Sequence, residues 1–316
     1  MNPMVAVLRI THIKRTVVHS YFVDRIAFYN LYISTIMQSK EILIVAIITV
    51  LAVVIGACAI VAINNSSGSE EPSIEPERIG IIGAMESEVK TIKEAMTIDY
   101  TEEIASMKFC VGKLYDKDVV VVQCGMGKVN AGLCAHTLIN LYNVKYVINT
   151  GVAGSLDNRL NIGDYVVSED AVQHDFDVSP IGYQKGEIPY TGLYAFKADE
   201  GLREKARNAI SDCIGAVFLE GRVCSGDQFI SSSEQKEKIT EEFGGLCCEM
   251  EGGAIAHVCY LNNTPFVIIR AVSDKADGSA TEDFEEFSKR IAIQCSKMIL
   301  YMIEHFDDEP DAARSL

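Results

Sequence analysis

Tryptophan is absent from this 316-residue chain, so an aromatic platform for a ligand has to come from Phe and Tyr. Basic residues are scarce too: 28 Lys and Arg against 44 Asp and Glu leave a formal net charge of −16. Those present are scattered, whereas a phosphate backbone demands Lys/Arg stripes, which excludes nucleic acid as a partner. Metal-site spacing is missing among the ten Cys, and Cys247 and Cys248 are adjacent, a poor geometry for a metal or a bridge. The thiols read as small buried hydrophobes in a reduced setting, and neither a metal nor a cofactor is expected. In "CGMGKVNAG" (Cys124 to Gly132) neither the G-x-x-x-x-G-K-S/T loop nor the G-x-G-x-x-G/A fingerprint is present. That Gly-rich stretch either makes a turn or lets backbone approach a flat ligand.

Long apolar runs are present once. Ile42 to Ile63 is 22 residues without a charge, and about 20 such residues span a bilayer as a helix. A transmembrane helix is expected over 42–63, behind a basic segment at 1–41. Arg9, Lys14, Arg15, Arg25 and Lys40 precede the span and Glu70, Glu71, Glu75 and Glu77 follow it. The positive-inside rule then predicts a single-pass membrane protein with its C-terminal domain outside the cytoplasm, whereas the unpaired thiols favour the cytoplasmic side. "IGAC" ending at Cys58 loosely resembles a lipoprotein box, but apolar residues continue beyond it, which suits an uncleaved anchor. "NNSSGSEEPSIEPE" reads as a flexible acidic linker at 64–77, and the folded domain is expected over 78–316.

Within that domain, strands alternate with helices. Ile79 to Ile82 is an apolar strand, Gly83 a turn, and Glu86 and Glu88 sit in the first turn of a helix, where acids suit the dipole. "ASMKFCVGKLYDKDVVVVQCG" reads as a hairpin turning at Asp116 and Lys117. "VKYVINTGVAGSL", "GDYVVSEDAVQ" and "AVFLEGRVCSGDQFI" read as further strands. Helices are expected after Gly127, around Ala198 to Ser211, after "CCEMEGG", and from about Phe284 to Phe306. The predicted fold is a mixed α/β sheet flanked by helices on both faces.

"PFVIIRAVSDKAD" (Pro265 to Asp277) carries the first hint of chemistry. Five apolar residues run directly into Arg270, Ser273 and Asp274. Such runs are strands covered on both faces, and ligands sit at the C-terminal ends of strands in these sheets. Other strand ends deliver Glu88, Glu249 and Glu251, and buried carboxylates are costly unless used. Paired carboxylates suit cleavage of a glycosidic bond, one activating water and one protonating the leaving group.

The stretches "IGIIGAMESEV", "GMGKV", "NTGVAG", "GDYVVSEDAVQHDFDV", "SGDQFI", "EMEGGAIAHVC" and "RAVSDKAD" occur in that order. On them, residues 79 to about 305 resemble the 5′-methylthioadenosine/S-adenosylhomocysteine nucleosidases of the nucleoside phosphorylase superfamily. The resemblance implies hydrolysis of the N-ribosidic bond of those nucleosides, and of 5′-deoxyadenosine, in methionine salvage and the recycling of adenosylmethionine by-products. It implies Glu88 as general base for water and Asp274 as general acid toward adenine N7, supported by Ser273. Glu251 would hold the ribose hydroxyls, with Met250 packing on the sugar and Arg270 ordering the water side. Phe229 would stack on adenine and Ile230 meet its edge through backbone groups. Met126, Tyr183 and Phe284 would line the 5′-alkylthio pocket, the loop of Tyr183 reaching a neighbouring subunit of a homodimer.

Two positions depart from the family pattern. Val152 stands where Ser or Thr is frequent, and Ile181 where an aromatic is common. Two rival functions stay open on residues alone. A purine nucleoside phosphorylase of the same superfamily would need Arg at the early Gly turns, where this chain has Met85, Glu86 and Glu88. A membrane-tethered nucleoside-binding module would need no acid–base pair.

Overall fold

The two-faced burial expected of the central strands is met almost residue by residue. A computed structural model describes residues 77–278 and 284–307, with the side chains of 284–289 outside that description. In strands β1 (Arg78–Gly83) and β4 (Lys117–Gln123), neighbouring side chains go to opposite layers. Ile79, Ile81, Val119 and Val121 face one apolar cluster, and Ile82, Val120 and Val122 face the other. The first cluster is closed by helices α1 (Glu86–Ala95), α3 (Glu200–Ala209) and α6 (Phe284–Glu304), the second by α2 (Lys128–Leu141) and α5 (Gly252–Leu261). This is a helix–sheet–helix sandwich, and it explains why these strands read as unbroken hydrophobic runs.

Strand β5 (Val144–Ser155), the longest at 12 residues, organises the sheet. It pairs in parallel with β1 and with β10 (Phe266–Asp274), so those three strands end on one side. From β10 the sheet continues through β6 (Tyr165–Gln173), β8 (Phe218–Ser225) and β9 (Cys247–Glu249) back to β5, closing a ring of five strands. Beyond β1 and β4 lie β3 (Met107–Leu114) and β2 (Thr97–Ile104); the short β7 (Phe196–Lys197) pairs with β6. Every residue of β10 is buried. Val267, Ile268 and Ile269 each contribute about 1.5–3 kcal/mol by leaving water, which offsets part of the cost of drawing Arg270 inside.

Besides the two-residue β7, two longer elements were not expected. β2 forms the far edge, exposed at nearly every position, so it shows no apolar alternation; its Asp99, Glu102 and Glu103 discourage edge pairing. Helix α4 (Ser233–Phe243) buries only Ile239 and Phe243, too little to set a helical period, although Ser232 caps its start and Gly244 ends it with φ 66°.

The expected fold class needs correction at its front end. Among the described residues no helix is long and apolar enough to cross a membrane. The longest, α6, buries Ile291, Cys295, Met298 and Met302 and exposes Arg290, Lys297 and Glu304, the pattern of a helix lying on a sheet. The α/β architecture stands without a transmembrane helix in it. The segments expected over 1–41, 42–63 and most of 64–77 lie outside the described residues.

Candidate active site

The end of β1 feeds α1 through Ala84 and Met85, and Glu88 folds back over that junction. Its Oε2 accepts hydrogen bonds from the N–H groups of Ala84 (2.7 Å) and Met85 (2.9 Å), and Oε1 accepts one from Val152 N (3.1 Å). The side chain is buried. Burial pushes its carboxyl above the usual glutamate range, although Arg270 and the three N–H groups pull the other way. Glu86, two positions earlier, points outward and pairs with Lys93 at 2.9 Å.

Two glycines shape the site. Gly127 adopts φ 95°, a conformation costly for other residues, and its N–H donates to Glu251 Oε1 at 2.9 Å. The Gly-rich stretch after β4 is therefore a turn that serves a carboxylate. At Gly151 in β5, a methyl group would sit 2.2 Å from Arg270 Nη1 and 2.6 Å from Glu88 Oε1. Only a bare Cα lets that cation and that acid approach each other.

Arg270 is fully buried in β10. Its Nη2 donates to Asn149 Oδ1 (2.7 Å) and to Glu249 Oε2, and lies 3.5 Å from Glu251 Oε2. Glu251 sits at the start of α5; burial, then the negative charge of Glu249, pushes its carboxyl up to about 7. One guanidinium thus faces three buried acids, Glu88, Glu249 and Glu251.

At the end of β10 the register against β5 slips between Val272 and Asp274. Strict alternation would send Ser273 to the opposite face; the bulge brings it beside Asp274. Ser273 Oγ donates to Asp274 Oδ2 (2.9 Å), and Ala276 N–H donates to Oδ1 (2.8 Å).

These groups surround one cavity of about 280 Å³. Glu88, Glu251, Arg270, Ser273 and Asp274 supply its polar wall, and Met126, Val152, Phe229, Ile230 and Met250 its apolar one. Ile230 and the acids are buried, whereas Met126 and Phe229 are 62% and 59% exposed and stand at the mouth. Ten of the twelve residues expected to form the site therefore meet here. Tyr183 does not line the cavity; it lies half-buried in the loop after β6. Phe284 begins α6, and its side chain is outside the described residues. Met85 and Cys248 line the cavity without having been expected to, and Glu249, an acid the sequence places at a strand end, joins them without an assigned role. For Asn149, which accepts from Arg270, the signal was a polar residue inside an otherwise apolar stretch of β5. Among the described residues no group of His, Cys, Asp and Glu could hold a metal ion.

The Phosphorylase superfamily model matches residues 78–304, the span that holds this mixed sheet and the carboxylate-lined cavity at the ends of β1, β5 and β10. More narrowly, a 5′-methylthioadenosine/S-adenosylhomocysteine nucleosidase of Staphylococcus aureus is 42% identical over 222 residues, covering 70% of this chain and 96% of that protein. The chain belongs to this nucleosidase family. Among solved structures, the Neisseria meningitidis nucleosidase in complex with methylthio-immucillin-A is 37% identical with a TM-score of 0.69, covering 72% of this chain and 99% of that one. The futalosine hydrolase of Helicobacter pylori is 33% identical at a TM-score of 0.69, covering 72% and 98%.

Proposed function

We propose that this chain is an N-glycosyl hydrolase that cleaves 5′-methylthioadenosine and S-adenosylhomocysteine to adenine and the corresponding thio-ribose. The observation that carries this reading is the convergence of Glu88, Glu251, Arg270 and Asp274 on one cavity in a chain of this family. Asp274 gives its proton to adenine N7, so the electrons of the breaking C1′–N9 bond flow into a neutralised ring. Ser273 and the Ala276 N–H hold that carboxyl in place. The sugar becomes cationic as the bond opens, and the carboxylate of Glu251 at its hydroxyls gains strength as that charge develops. Water attacks C1′ and passes its proton to Glu88, whose position is set by three backbone N–H groups. Met250 packs on the sugar, Phe229 stacks on the base, and Met126 lies toward the 5′-substituent.

Phosphate is a poor nucleophile for this cavity. Two acids flank the water side, and the guanidinium of Arg270 is already engaged by Asn149 and Glu249. A homodimer fits the same reading: Tyr183 stands away from its own cavity, and Val129 and Leu133 present an exposed apolar stripe on α2 next to Met126. Sedimentation of residues 77–316 checks that assembly; a monomer at micromolar concentration contradicts it. The reaction is checked by offering methylthioadenosine, adenosylhomocysteine, 5′-deoxyadenosine and futalosine with and without phosphate. Free adenine and a free thio-ribose at a phosphate-independent rate are expected. A sugar 1-phosphate would overturn hydrolysis, and preference for futalosine would move the substrate.

A further inference from the structure

Glu249 is the one acid of the cavity wall to which the reaction above gives no task, yet it is the most heavily bonded. Its Oε2 accepts from the N–H groups of Glu251 (3.0 Å) and Gly252 (2.7 Å) and from Arg270 Nη2. Its Oε1 is held by the hydroxyl of Ser225, whose oxygen in turn accepts from Gly253 N–H at 2.6 Å. The first three residues of the turn "EGG" that opens α5 are thus tied, directly or through Ser225, to one carboxylate. The same carboxylate is the close counter-ion of Arg270, while Glu251 lies farther away at 3.5 Å.

We propose that Glu249 is a positioning residue for the nucleosidase reaction: its carboxylate fixes both the guanidinium of Arg270 and the turn that presents Glu251 to the cavity. This rests on the functional reading above. The physical reason is competition for one cation. Arg270 faces Glu88 from α1, Glu249 from β9 and Glu251 from α5. Without a dedicated partner the guanidinium would settle between Glu88 and Glu251, drawing the first off the water and the second off the sugar. Glu249 satisfies Arg270 from behind and leaves both acids to the substrate. Its charge also helps keep the Glu251 carboxyl high. The other titratable groups around Glu249 are Cys247 and Cys248 on its own strand, Cys224 on β8 and His174 after β6. All three thiols are pushed up by burial and His174 is pushed down by it, so none carries charge near neutral pH.

The test is Glu249→Gln, which keeps the shape and an acceptor for the two amides but removes the charge. The expected result is a fall in kcat/KM for 5′-methylthioadenosine of about 10²-fold, the scale of a misplaced catalytic group. Calorimetric affinity for adenine alone should stay within about two-fold, because the base end is built by Asp274 and Phe229. The acidic limb of the kcat/KM profile should move to lower pH, since Glu251 loses a neighbouring negative charge. A merely structural role would lower adenine and nucleoside affinity together and leave the limb in place. That result, or kcat/KM within about three-fold of the unaltered protein, overturns the proposal. If the Gln chain fails to bind adenine at all, Ser225→Ala decides. It keeps the charge of Glu249 and loosens one carboxylate oxygen and the Gly253 N–H, so kcat/KM should fall about ten-fold with adenine affinity and the limb retained; an unchanged kcat/KM overturns the proposal. Should the unaltered protein release no adenine, the functional reading falls by itself. The ratio of nucleoside to adenine affinity in the two chains still reads the positioning role.

Discussion

Glu86 and Glu88 stand two positions apart in one helical turn, and their surroundings separate them completely. Glu86 is solvated and paired with Lys93, an exposed contact worth about 0–1 kcal/mol. Glu88 is buried on three N–H groups beside Arg270. Glu88→Gln is therefore expected to lose nearly all adenine release, because an amide cannot take the proton of the attacking water, while Glu86→Gln keeps wild-type rates. Steady-state adenine release by both variants checks the pair, and the reverse pattern would move the base to Glu86. Asp274→Asn keeps both of its hydrogen-bond neighbours in reach but has no proton to give. Turnover should fall by about 10²–10⁴-fold while affinity for a non-reacting adenosine analogue is retained. Activity within a few-fold of wild type would remove Asp274 from the chemistry. Val152 belongs at this scale too. The sequence marks it as a lost hydroxyl, but its contact with Glu88 is made by its backbone N–H, which any residue would supply.

At the scale of elements, β5 carries a constraint that its neighbours reveal. Gly151 has no left-handed conformation to explain it; what it lacks is space, with Arg270 and Glu88 both inside 3 Å of a would-be methyl. Gly151→Ala should push one of them away, costing about 10²-fold in kcat and about 1–3 kcal/mol of stability. Rates and urea midpoints measured together decide it; unchanged kcat would mean that the close approach of cation and acid is not needed. The sequence made β1, β4, β5 and β10 legible because strands covered on both faces carry runs of apolar residues. It hid β2, which faces water, and α4, whose apolar face is two residues wide. Acids at strand ends were legible one by one, since each follows an apolar run. What joins them was not. The bulge that turns Ser273 toward Asp274 depends on pairing with β5, more than 100 positions away in the chain. The partners of Glu249 come from β8, α5 and β10, and spacing along one strand cannot show them.

The whole molecule has to fold around a pocket that favours protons, and this sets two pH dependences of opposite sign. Burial raises the carboxyl of Glu88, and burial together with Glu249 raises that of Glu251 to about 7, from an ordinary glutamate value of 4.5. A raised acid binds its proton more tightly in the folded chain than in the unfolded one. Its contribution to stability is complete below about pH 4.5 and is lost as pH rises through about 7. Carboxylates with depressed values, such as Asp157 held by Arg159, act in the other direction but only near about pH 4 and below. Between about pH 5.5 and 8 the site acids weaken the ligand-free fold as pH rises, against His174 and His257, whose values burial lowers and whose contribution grows with pH up to about 6.5. Activity should do the reverse, because Glu88 accepts a proton and Glu251 attracts a cation only when ionised. The expected kcat/KM profile has an acidic limb with an apparent value near 7, belonging to the coupled acids rather than to either alone. Calorimetric melting at pH 5.5 and pH 8 of the unaltered chain and of Glu251→Gln tests the link. From pH 5.5 to pH 8 the unaltered chain should lose Tm relative to the Gln variant, which has no proton to lose at this position. If Tm changes alike in the two chains, the proton binds elsewhere and the cavity is not its site.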